Sequence, residues 1–368
     1  MLFNYFMPTK VYFGKNILWQ KKEEFKNFGK KAYIVTGMRS SKVNGSLDDV
    51  IKALEDNGTE YVIFDEVEEN PSIETIEKAA LVGKEEKVDF IIGIGGGSPL
   101  DASKAIGIFI NNPEVNGENI FQLKNLKSIP VIAVATTSGT GSEVTQYSIV
   151  TDHKELTKKN LGQSVFPHIA FLDPSYTMDM SYDVTISTAI DAFTHLVEGY
   201  LNSNANDLTD IMAEKGIELF GQCIKNLLEN NIDYSTREKL MLASTLGGMV
   251  IAQTGTSLPH GMGYPLTYFK NVPHGKANGI LYGEYLKVFK DRERVNRVLS
   301  LLNVKGLEEM IDILNKLMQC DVEITEKEIK IYAETMCSNE GKLKNHPEKI
   351  GYDEIYNIYV NSLIKKIK

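Results

Sequence analysis

Four side chains in the second half of the chain have the types and spacing of a metal site: Asp191, His195, His260 and His274. Asp191 and His195 are four residues apart, so on a helix they project from one face, one turn apart. Three imidazoles and one carboxylate can bind a divalent metal and leave a coordination position open for a substrate. The chain has six histidines, and half of them fall in this group, so we take these four residues as candidate metal ligands.

The Asp191–His195 pair also has a simpler interpretation. The apolar stripe of its helical wheel lies opposite the flank that carries Asp191, His195, Thr188 and Glu198. A polar flank of this kind is typical of a solvated helix face. The pair alone therefore leaves both interpretations open.

The setting of the other two candidate ligands favours the metal interpretation. His260 and His274 each follow a proline and precede a glycine, and His274 is predicted to open a helix from about Gly275. A helix N-terminus disfavours imidazolium, which keeps a ring neutral and able to bind a metal. The remaining histidines have no such setting, and we predict surface or capping positions for His153, His168 and His346.

A first glycine-rich loop in the other half of the chain is typical of a phosphate site. An apolar run over Asp89–Ile94 leads into three glycines that include Gly96 and Gly97. Glycines let the backbone approach an anion, and the N-terminus of a following helix offers free N–H groups. We predict a helix with Ser98 as its N-cap, Pro99 at its first position and Asp101 as the acid of a capping box. The alternative is a tight strand-to-helix turn that binds nothing.

A second loop, Thr136–Thr145, follows the strand-like run Ile129–Ala135 and alternates hydroxyl residues with glycine. Such side chains suit hydrogen bonds to a ribose, a phosphate or a carboxamide. A polar turn with Ser142 as a helix N-cap is the alternative. Two loops of this kind favour a nucleotide site, because ligands of α/β sheets bind outside the carboxyl ends of the strands.

The segment after Lys31–Val35 predicts which nucleotide is bound. Many NAD-binding folds have an acid there that holds the ribose 2′-hydroxyl. Here the neighbourhood contains no acid, and it carries Gly37, Arg39, Ser40, Ser41 and Lys42. Because arginine suits a 2′-phosphate, we predict NADP(H), with NAD as the alternative. A polar loop with ordinary surface cations explains the same residues.

The elements that must position these loops and ligands change character near residue 181. Before it, strand-like runs alternate with helical patterns, which predicts a parallel sheet covered by helices. These predicted elements are Lys31–Thr36, Ser46–Asn57, Glu60–Phe64, Ser72–Lys84, Asp89–Ile94, Ile129–Ala135 and Ile169–Leu172. After it, apolar residues recur with helical spacing over Thr188–Leu201, Asp207–Leu228, Thr236–Thr254, Glu308–Met318 and Tyr352–Ile364. We therefore predict an α/β domain, 1–181, and an all-α domain, 182–368.

Composition restricts the class of protein. A chain of 368 residues is long enough for about two domains. Its formal net charge of −9 argues against a nucleic-acid partner. The sequence has no apolar run of membrane-spanning length and no recognisable signal peptide. Three cysteines far apart in sequence, Cys223, Cys320 and Cys337, fit a reducing cytoplasm, so we expect a cytoplasmic protein without a membrane partner.

Together and in order, the motifs resemble the iron-containing (group III) alcohol dehydrogenase family over nearly the whole chain. The resemblance is strongest to its NADP-using butanol and 1,3-propanediol dehydrogenase branch, several members of which have a glycine at the position of Gly37. The segments that carry it are Met7–Gly14, Gly95–Asp101, Thr136–Thr145, Asp191–Glu198, His260–Leu266 and Pro273–Asn278.

The resemblance implies a dehydroquinate synthase-like architecture, with a Rossmann-like dinucleotide-binding domain, a helical metal-binding domain and a cleft between them. It implies that Asp191, His195, His260 and His274 hold the metal, which the family name gives as Fe²⁺, with Zn²⁺ as the alternative. It further implies pyrophosphate contacts from Gly96, Gly97 and Ser98, nicotinamide contacts from Thr137, Thr140 and Ser142, and cofactor contacts from Asp101 and Lys159.

One position departs from the family pattern. Many members have a second histidine four residues after the third ligand, thought to help proton transfer, and Tyr264 stands there. Tyrosine can donate a proton, although the unperturbed pKa of a phenol lies far above neutral. We include Tyr264 among the candidate catalytic residues and leave the proton shuttle open.

The resulting functional hypothesis is a metal-dependent oxidoreductase, an alcohol dehydrogenase or aldehyde reductase that uses NADP(H). Phe193, Leu258 and Leu266, near the candidate ligands, suggest a small aliphatic alcohol or aldehyde, although core packing explains them equally. The alternatives are a zinc-dependent glycerol dehydrogenase-like enzyme, a dehydroquinate synthase-like lyase, a metal-dependent hydrolase and a non-catalytic nucleotide-binding protein. We also expect a homodimer, in which the segment Met1–Gly14 pairs with a sheet edge of another copy.

Overall fold

A computed structural model describes residues 3–364, and the chain divides into two compact units. One unit is Phe6–Met180. The other starts at Ser181 and also takes in Tyr5, whose hydroxyl contacts the sulfur of Met212 at 3.8 Å. The first two residues of the segment expected to pair with another copy, Met1–Gly14, lie outside the described residues. Within the described part of that segment, Lys10–Phe13 pairs with Ile169–Leu172 of this chain's own sheet.

The first unit is built on a parallel sheet of six strands in the order β1-β8-β5-β4-β2-β3. Its strands, with a separate antiparallel pair β6–β7, are β1 (Lys10–Phe13), β2 (Lys31–Gly37), β3 (Glu60–Val67), β4 (Phe90–Gly95), β5 (Val131–Ala135), β6 (Ile149–Asp152), β7 (Thr157–Asn160) and β8 (Ile169–Leu172). Its helices are α1 (Ile17–Gln20), α2 (Ser40–Val43), α3 (Ser46–Asn57), α4 (Ile73–Glu85) and α5 (Gly97–Asn111).

The sheet is covered on both faces because alternate residues of its inner strands are apolar. In β2, Tyr33 and Val35 belong to one apolar cluster, whereas Ala32 and Ile34 belong to another. Side chains of a strand alternate between the two faces of a sheet, so these are the cores beneath the two helical layers. Near-continuous apolar strands are typical of a parallel sheet that is buried on both sides.

The register of the sheet brings three predicted loops to one edge. Thr36 of β2 pairs with Ile94 of β4, and Gly95 of β4 pairs with Ala135 of β5. The N–H of Thr136, the first residue of the second loop, donates to the carbonyl of Gly95 over 2.9 Å. The segments that follow β2, β4 and β5 therefore start side by side, as the α/β prediction requires.

The second unit is helical, which confirms the predicted fold class. Its helices are α6 (Tyr182–Tyr200), α7 (Asp207–Leu228), α8 (Tyr234–Thr254), α9 (Leu258–Lys270), α10 (His274–Gly279), α11 (Tyr282–Lys287), α12 (Glu293–Leu301), α13 (Leu307–Met318), α14 (Glu326–Cys337), α15 (Glu340–Leu343) and α16 (Tyr352–Leu363). Among residues 3–364, no helix combines the length and apolarity needed to cross a membrane.

Helix α6 is the centre of this unit and is buried on nearly every side. Phe193 stacks on Phe220 with ring centroids 4.8 Å apart. On the opposite flank Asp191, His195 and Glu198 are all buried. The interpretation of that flank as a solvated face is wrong, because other helices of the unit pack against it.

The predictions missed the short strands and one buried histidine. Strand β1 and the β6–β7 pair have four residues each and include polar residues, whereas the equally short β8, which was predicted, is apolar throughout. His346, predicted at the surface or in a cap, is only 4% exposed. Its ring packs against Phe289 and Tyr285, with ring centroids at 4.6 and 5.8 Å.

Burial of His346 makes the stability of the fold dependent on pH. Desolvation lowers the pKa of this ring from 6.5 to about 4. Between pH 6.5 and about 4, His346 is protonated in the unfolded chain but neutral in the folded chain. The stability that comes from burying the neutral ring is therefore fully present above pH 6.5 and is lost as the pH falls to about 4. We expect His346→Leu to remove an acid-linked loss of up to about 3 kcal/mol. The measurement is the unfolding midpoint at pH 7 and near the lower pKa.

His153→Leu is the matched control, because it makes the same substitution at an exposed position. Equal acid sensitivity of His346→Leu and the wild type would contradict a neutral, buried His346.

Candidate active site

Three elements of the helical unit bring the candidate metal ligands together. Asp191 and His195 project from α6, His260 lies in the first turn of α9, and His274 is the first residue of α10. Donor atoms of Asp191, His195 and His260 all lie within 4.8 Å of one another. His274 joins the group less tightly, with its Nε2 atom 3.8 Å from Asp191 Oδ1. The three clustered residues are buried, and the His274 side chain is 24% exposed.

A close approach between α6 and α10 depends on Gly275. A Cβ atom at this position would lie 1.8 Å from the carbonyl oxygen of Ser187 and 3.0 Å from Asp191 Cβ. Only a glycine therefore allows the start of α10, which carries His274, to lie directly against the α6 backbone. Gly263 has a similar role on α9, because its Cβ would meet Asn278 Oδ1 at 2.1 Å.

The charges of the cluster stabilise an ionised carboxylate among imidazoles. Burial alone would raise the pKa of Asp191, but the nearby His195, His274 and His260 hold it far below its usual range. Burial alone would lower the pKa of His260, but the carboxylates of Glu198 and Asp191 outweigh this effect and raise it. The carboxylate and the imidazoles thus stabilise each other's charged forms, and a bound cation would take the place of the imidazole protons.

The donor set fits a divalent metal. His260 Nε2 is buried and has no hydrogen-bond partner among the described residues, and it lies 3.6 Å from Asp191 Oδ1. Neutral imidazole nitrogens with one carboxylate suit Fe(II), Zn(II), Mn(II) or Co(II). Asp191, His195, His260 and His274 are the residues that would hold such an ion.

Two further residues at this site were not assigned by sequence reasoning. Asn278 is fully buried and donates through Nδ2 to Asp191 Oδ1 over 3.3 Å. Glu198 is fully buried, and its Oε1 lies 2.5 Å from His260 Nδ1. Their signals were their spacings: Glu198 follows His195 by three residues on the same helix face, and Asn278 follows His274 by four.

Tyr264 lies beside the candidate ligands. Its ring stacks on that of His274 with centroids 5.7 Å apart and an interplanar angle of 21°. The apolar neighbours tell less about a substrate, because Phe193, Leu258 and Leu266 are fully buried parts of the helical core. Core packing therefore accounts for all three side chains.

In the α/β unit, the two glycine-rich loops pack directly on each other. Gly95 has a φ of +150°, which favours glycine. A Cβ on Gly96 would lie 2.9 Å from Thr137 Oγ1, and one on Gly97 would lie 2.6 Å from Thr140 Cγ2. Only glycine therefore fits at these two positions, and a glycine backbone at the start of a helix is what a pyrophosphate cradle requires.

The predicted caps of these loops are wrong in detail. Helix α5 starts at Gly97 with Gly96 as its N-cap, so Ser98 lies inside the first turn, and its Oγ accepts from the N–H of Asn70 over 3.1 Å. Ser142 opens only a three-residue 3-10 turn, whose N-cap is Gly141. The N-cap of α5 thus lies two residues before the predicted Ser98, and that of the 3-10 turn lies one residue before the predicted Ser142.

Asp101 does not close a capping box, because both of its oxygens have other partners. Its Oδ1 accepts from Ser142 Oγ, and its Oδ2 accepts from the N–H of Ile149 over 2.9 Å. Lys104, which sequence reasoning missed, is fully buried and donates to Ser142 Oγ and to the carbonyl of Tyr147, both over 2.7 Å. These contacts tie the second loop to α5, which carries the first.

The predicted adenosine segment presents its arginine to solvent. Arg39 and Ser40 are exposed beside Gly37, and within residues 3–364 the Arg39 side chain has no hydrogen bond or ion pair. Ser41 points inward and bonds to Thr36 over 2.7 Å, and Lys42 pairs with Asp65 at 2.5 Å. Arg39 is therefore the cation of this segment that is not already paired.

Lys159, the last of the predicted cofactor residues, lies in β7. Its ammonium group pairs with Asp152 at 3.4 Å and with Glu155. It also lies 4.9 Å from the centre of the Phe121 ring. Lys159 therefore already has partners in the β6–β7 hairpin and at Phe121.

Comparisons with known proteins cover both units. Residues 8–174 match the family model described as iron-containing alcohol dehydrogenase, and residues 185–363 match that of the C-terminal region of Fe-containing alcohol dehydrogenases. The NADPH-dependent butanol dehydrogenase of Clostridium saccharobutylicum is 33% identical over 324 residues, which cover 85% of this chain and 82% of that one. The 1,3-propanediol dehydrogenase of Citrobacter freundii is 32% identical over 294 residues, with coverage of 76% and 73%.

Solved structures agree with this relationship. A crystal structure of an iron-containing alcohol dehydrogenase is 39% identical and has a TM-score of 0.93, with 100% of both chains covered.

The contact at Gly275 generates a test of the ligand geometry. We expect Gly275→Ala to weaken Zn²⁺ binding by about tenfold or more. The new Cβ must move from 1.8 Å to beyond 3.0 Å from the Ser187 carbonyl, which displaces His274 from Asp191. Competition with a chromophoric chelator measures the affinity. Gly341→Ala is the control, since its Cβ would meet nothing closer than 3.6 Å; equal affinities for both variants would refute the steric argument.

Proposed function

The chain belongs to the iron-containing alcohol dehydrogenase family, and we propose that it transfers hydride between NADP(H) and a small aliphatic alcohol or aldehyde. The observation that carries the proposal is the buried cluster of Asp191, His195 and His260, with His274 at 3.8 Å from Asp191. Membership makes the chain an oxidoreductase. The substrate class and the preference for NADP(H) are our proposal, and they are supported by the butanol and propanediol dehydrogenases among its relatives.

The helical unit provides the residues for the metal. A divalent ion, Fe²⁺ by family membership, supplies Lewis acidity toward the oxygen of an alcohol or carbonyl group. Asp191 contributes the negative charge of the site, and His195, His260 and His274 contribute neutral nitrogen donors. His274 is the most exposed of the four, so we assign the substrate side of the site to it.

The stacked pair of His274 and Tyr264 is our candidate for proton transfer. The Tyr264 ring lies parallel to that of His274, at the position where many family members have a histidine. A phenol hydroxyl both donates and accepts a hydrogen bond. We propose that Tyr264 takes or returns the proton of the substrate hydroxyl, directly or through a water molecule.

The α/β unit provides the residues for the nucleotide. The nicotinamide ring supplies or accepts the hydride. We propose that Gly96, Gly97 and Ser98 bind the pyrophosphate through backbone N–H groups at the start of α5. Further cofactor contacts are assigned to Asp101, Thr137, Thr140, Ser142 and Lys159, which would exchange its ion pair with Asp152 for the cofactor. The 2′-phosphate is assigned to Arg39 and Ser40 beside Gly37.

Metal removal and return tests the proposed reaction. The chain is stripped with a chelator, and NADPH oxidation with butanal is followed without oxygen, before and after Fe(II) or Zn(II) is added. We expect activity to be lost with the metal and restored by Fe(II), because the carbonyl oxygen requires a Lewis acid in this site. Restoration by Zn(II) alone, together with glycerol oxidation by NAD⁺, would favour the polyol alternative.

A ligand variant makes this experiment specific to the cluster. His274→Ala is expected to abolish turnover and reduce bound metal while NADPH still binds, because His274 lies in the other compact unit from the glycine-rich loops. His153→Ala, which changes an exposed ring, is the control. Full activity of His274→Ala would refute its assignment, and ester hydrolysis without NADPH would favour the hydrolase alternative.

The nucleotide preference has a separate test at Arg39. We expect Arg39→Asp to reduce the ratio of kcat/KM for NADPH over NADH by about tenfold or more. The substitution replaces a guanidinium that would pair with the 2′-phosphate by a carboxylate that repels it. Lys87→Asp is the matched control. It makes the same charge reversal at an exposed position just before β4, whereas the first glycine-rich loop follows the other end of β4. An unchanged ratio in Arg39→Asp would show that this segment does not read the 2′-phosphate.

A further inference from the structure

A second carboxylate of α6, Glu198, is engaged by two groups of the next helix. Its side chain is fully buried. Oε1 lies 2.5 Å from His260 Nδ1, and Oε2 accepts the N–H of Ser257 over 2.6 Å. The two oxygens of one carboxylate thus contact both the residue before α9 and the histidine in its first turn.

The contact with His260 determines which ring nitrogen carries the proton. An ionised carboxylate can only accept hydrogen bonds, so His260 Nδ1 must be the donor. In the neutral ring that binds a metal, the other nitrogen, Nε2, then carries the lone pair. It lies 3.6 Å from Asp191 Oδ1 and has no hydrogen-bond partner among the described residues. The ring is also held in orientation by His195, which stacks on it with centroids 4.4 Å apart.

We propose that Glu198 is a positioning residue for the metal site, which fixes His260 in the Nδ1–H tautomer and aims its Nε2 at Asp191 and His195. Metal-bound histidines commonly donate their second N–H to a carboxylate, and loss of that partner typically weakens metal binding 10- to 100-fold. The inference rests on the proposed function, because it assumes that Asp191, His195 and His260 hold a metal.

A purely structural role for Glu198 is the competing explanation. Through Oε2 and the Ser257 N–H, the carboxylate also holds the start of α9, where a negative charge is favourable. A variant that merely loosened this helix would weaken metal binding as well. The experiment must therefore separate the contact with His260 from the contact with Ser257.

The first variant is Glu198→Gln, measured by Zn²⁺ affinity in chelator competition. Glutamine has the same shape, but only one of its two terminal atoms, the oxygen, can accept a hydrogen bond. If its oxygen faces Ser257, its NH₂ group faces His260 Nδ1 and drives the ring proton to Nε2, where the metal would bind. If its oxygen faces His260, its NH₂ group opposes the Ser257 N–H. We expect Zn²⁺ affinity to fall 10- to 100-fold, with the metal-free protein still folded.

A double-mutant cycle with His260→Ala separates the two roles. If Glu198 acts through the His260 ring, Glu198→Gln causes no further loss of Zn²⁺ affinity once that ring is absent. If it acts only through the start of α9, the loss persists at the same size in the His260→Ala background. The second result would overturn the proposal.

A control and a second variant complete the design. Glu214→Gln changes a carboxylate that also contacts α6, through Tyr200 at 3.0 Å, but none of the candidate ligands, and we expect unchanged affinity. Glu198→Asp keeps the charge but is one methylene shorter, so it serves if the glutamine variant does not fold; we expect weaker binding here too. Wild-type affinity in a folded Glu198 variant would overturn this inference alone, whereas no Zn²⁺ binding by the wild type would refute the proposed metal site itself.

Discussion

The helical unit depends on one buried charge, the carboxylate of Asp191 in the middle of α6. An ionised group in a protein interior costs several kcal/mol unless opposite charges and hydrogen bonds compensate it. Here the compensation comes from three imidazoles and the amide of Asn278. These groups come from three helices, so α6, α9 and α10 must meet at this point. The glycines at the contacts follow from the same requirement, because a side chain at Gly275 would meet the backbone of α6 and one at Gly263 would meet the amide of Asn278.

His260 lies between two carboxylates of the same helix, and each contacts a different ring nitrogen. Glu198 meets Nδ1 at 2.5 Å, and Asp191 lies 3.6 Å from Nε2. The seven-residue spacing of Asp191 and Glu198 on α6 corresponds to two helical turns, so both face α9. A metal site of this kind needs its outer contacts as much as its ligands, since the ring must present a lone pair in a fixed direction.

The α/β unit follows a different constraint, the register of a parallel sheet. Because Gly95 pairs with Ala135, two loops that are forty residues apart in sequence start next to each other. They then lie so close together that a Cβ on Gly96 or Gly97 would overlap a threonine side chain of the second loop. The buried ammonium of Lys104 and the carboxylate of Asp101 both bond to Ser142, so the second loop is held by charged groups of α5 and not by the sheet alone.

The sequence by itself determined the fold class, the loop positions and the candidate ligands. Periodicity and glycine placement are local properties, and the helices Ser46–Asn57 and Asp207–Leu228 have the bounds that the sequence predicted. Only the tertiary structure decided which polar residues are buried and what they contact. From its sequence alone, the flank of α6 with Asp191 and Glu198 has the polar pattern of a solvated face, but other helices cover it. The sequence around Lys104, Asn278 and His346 likewise does not indicate that these residues are buried. Hydrogen-bond partners are equally non-local: Glu198 and His260 are 62 residues apart, and only packing brings them together.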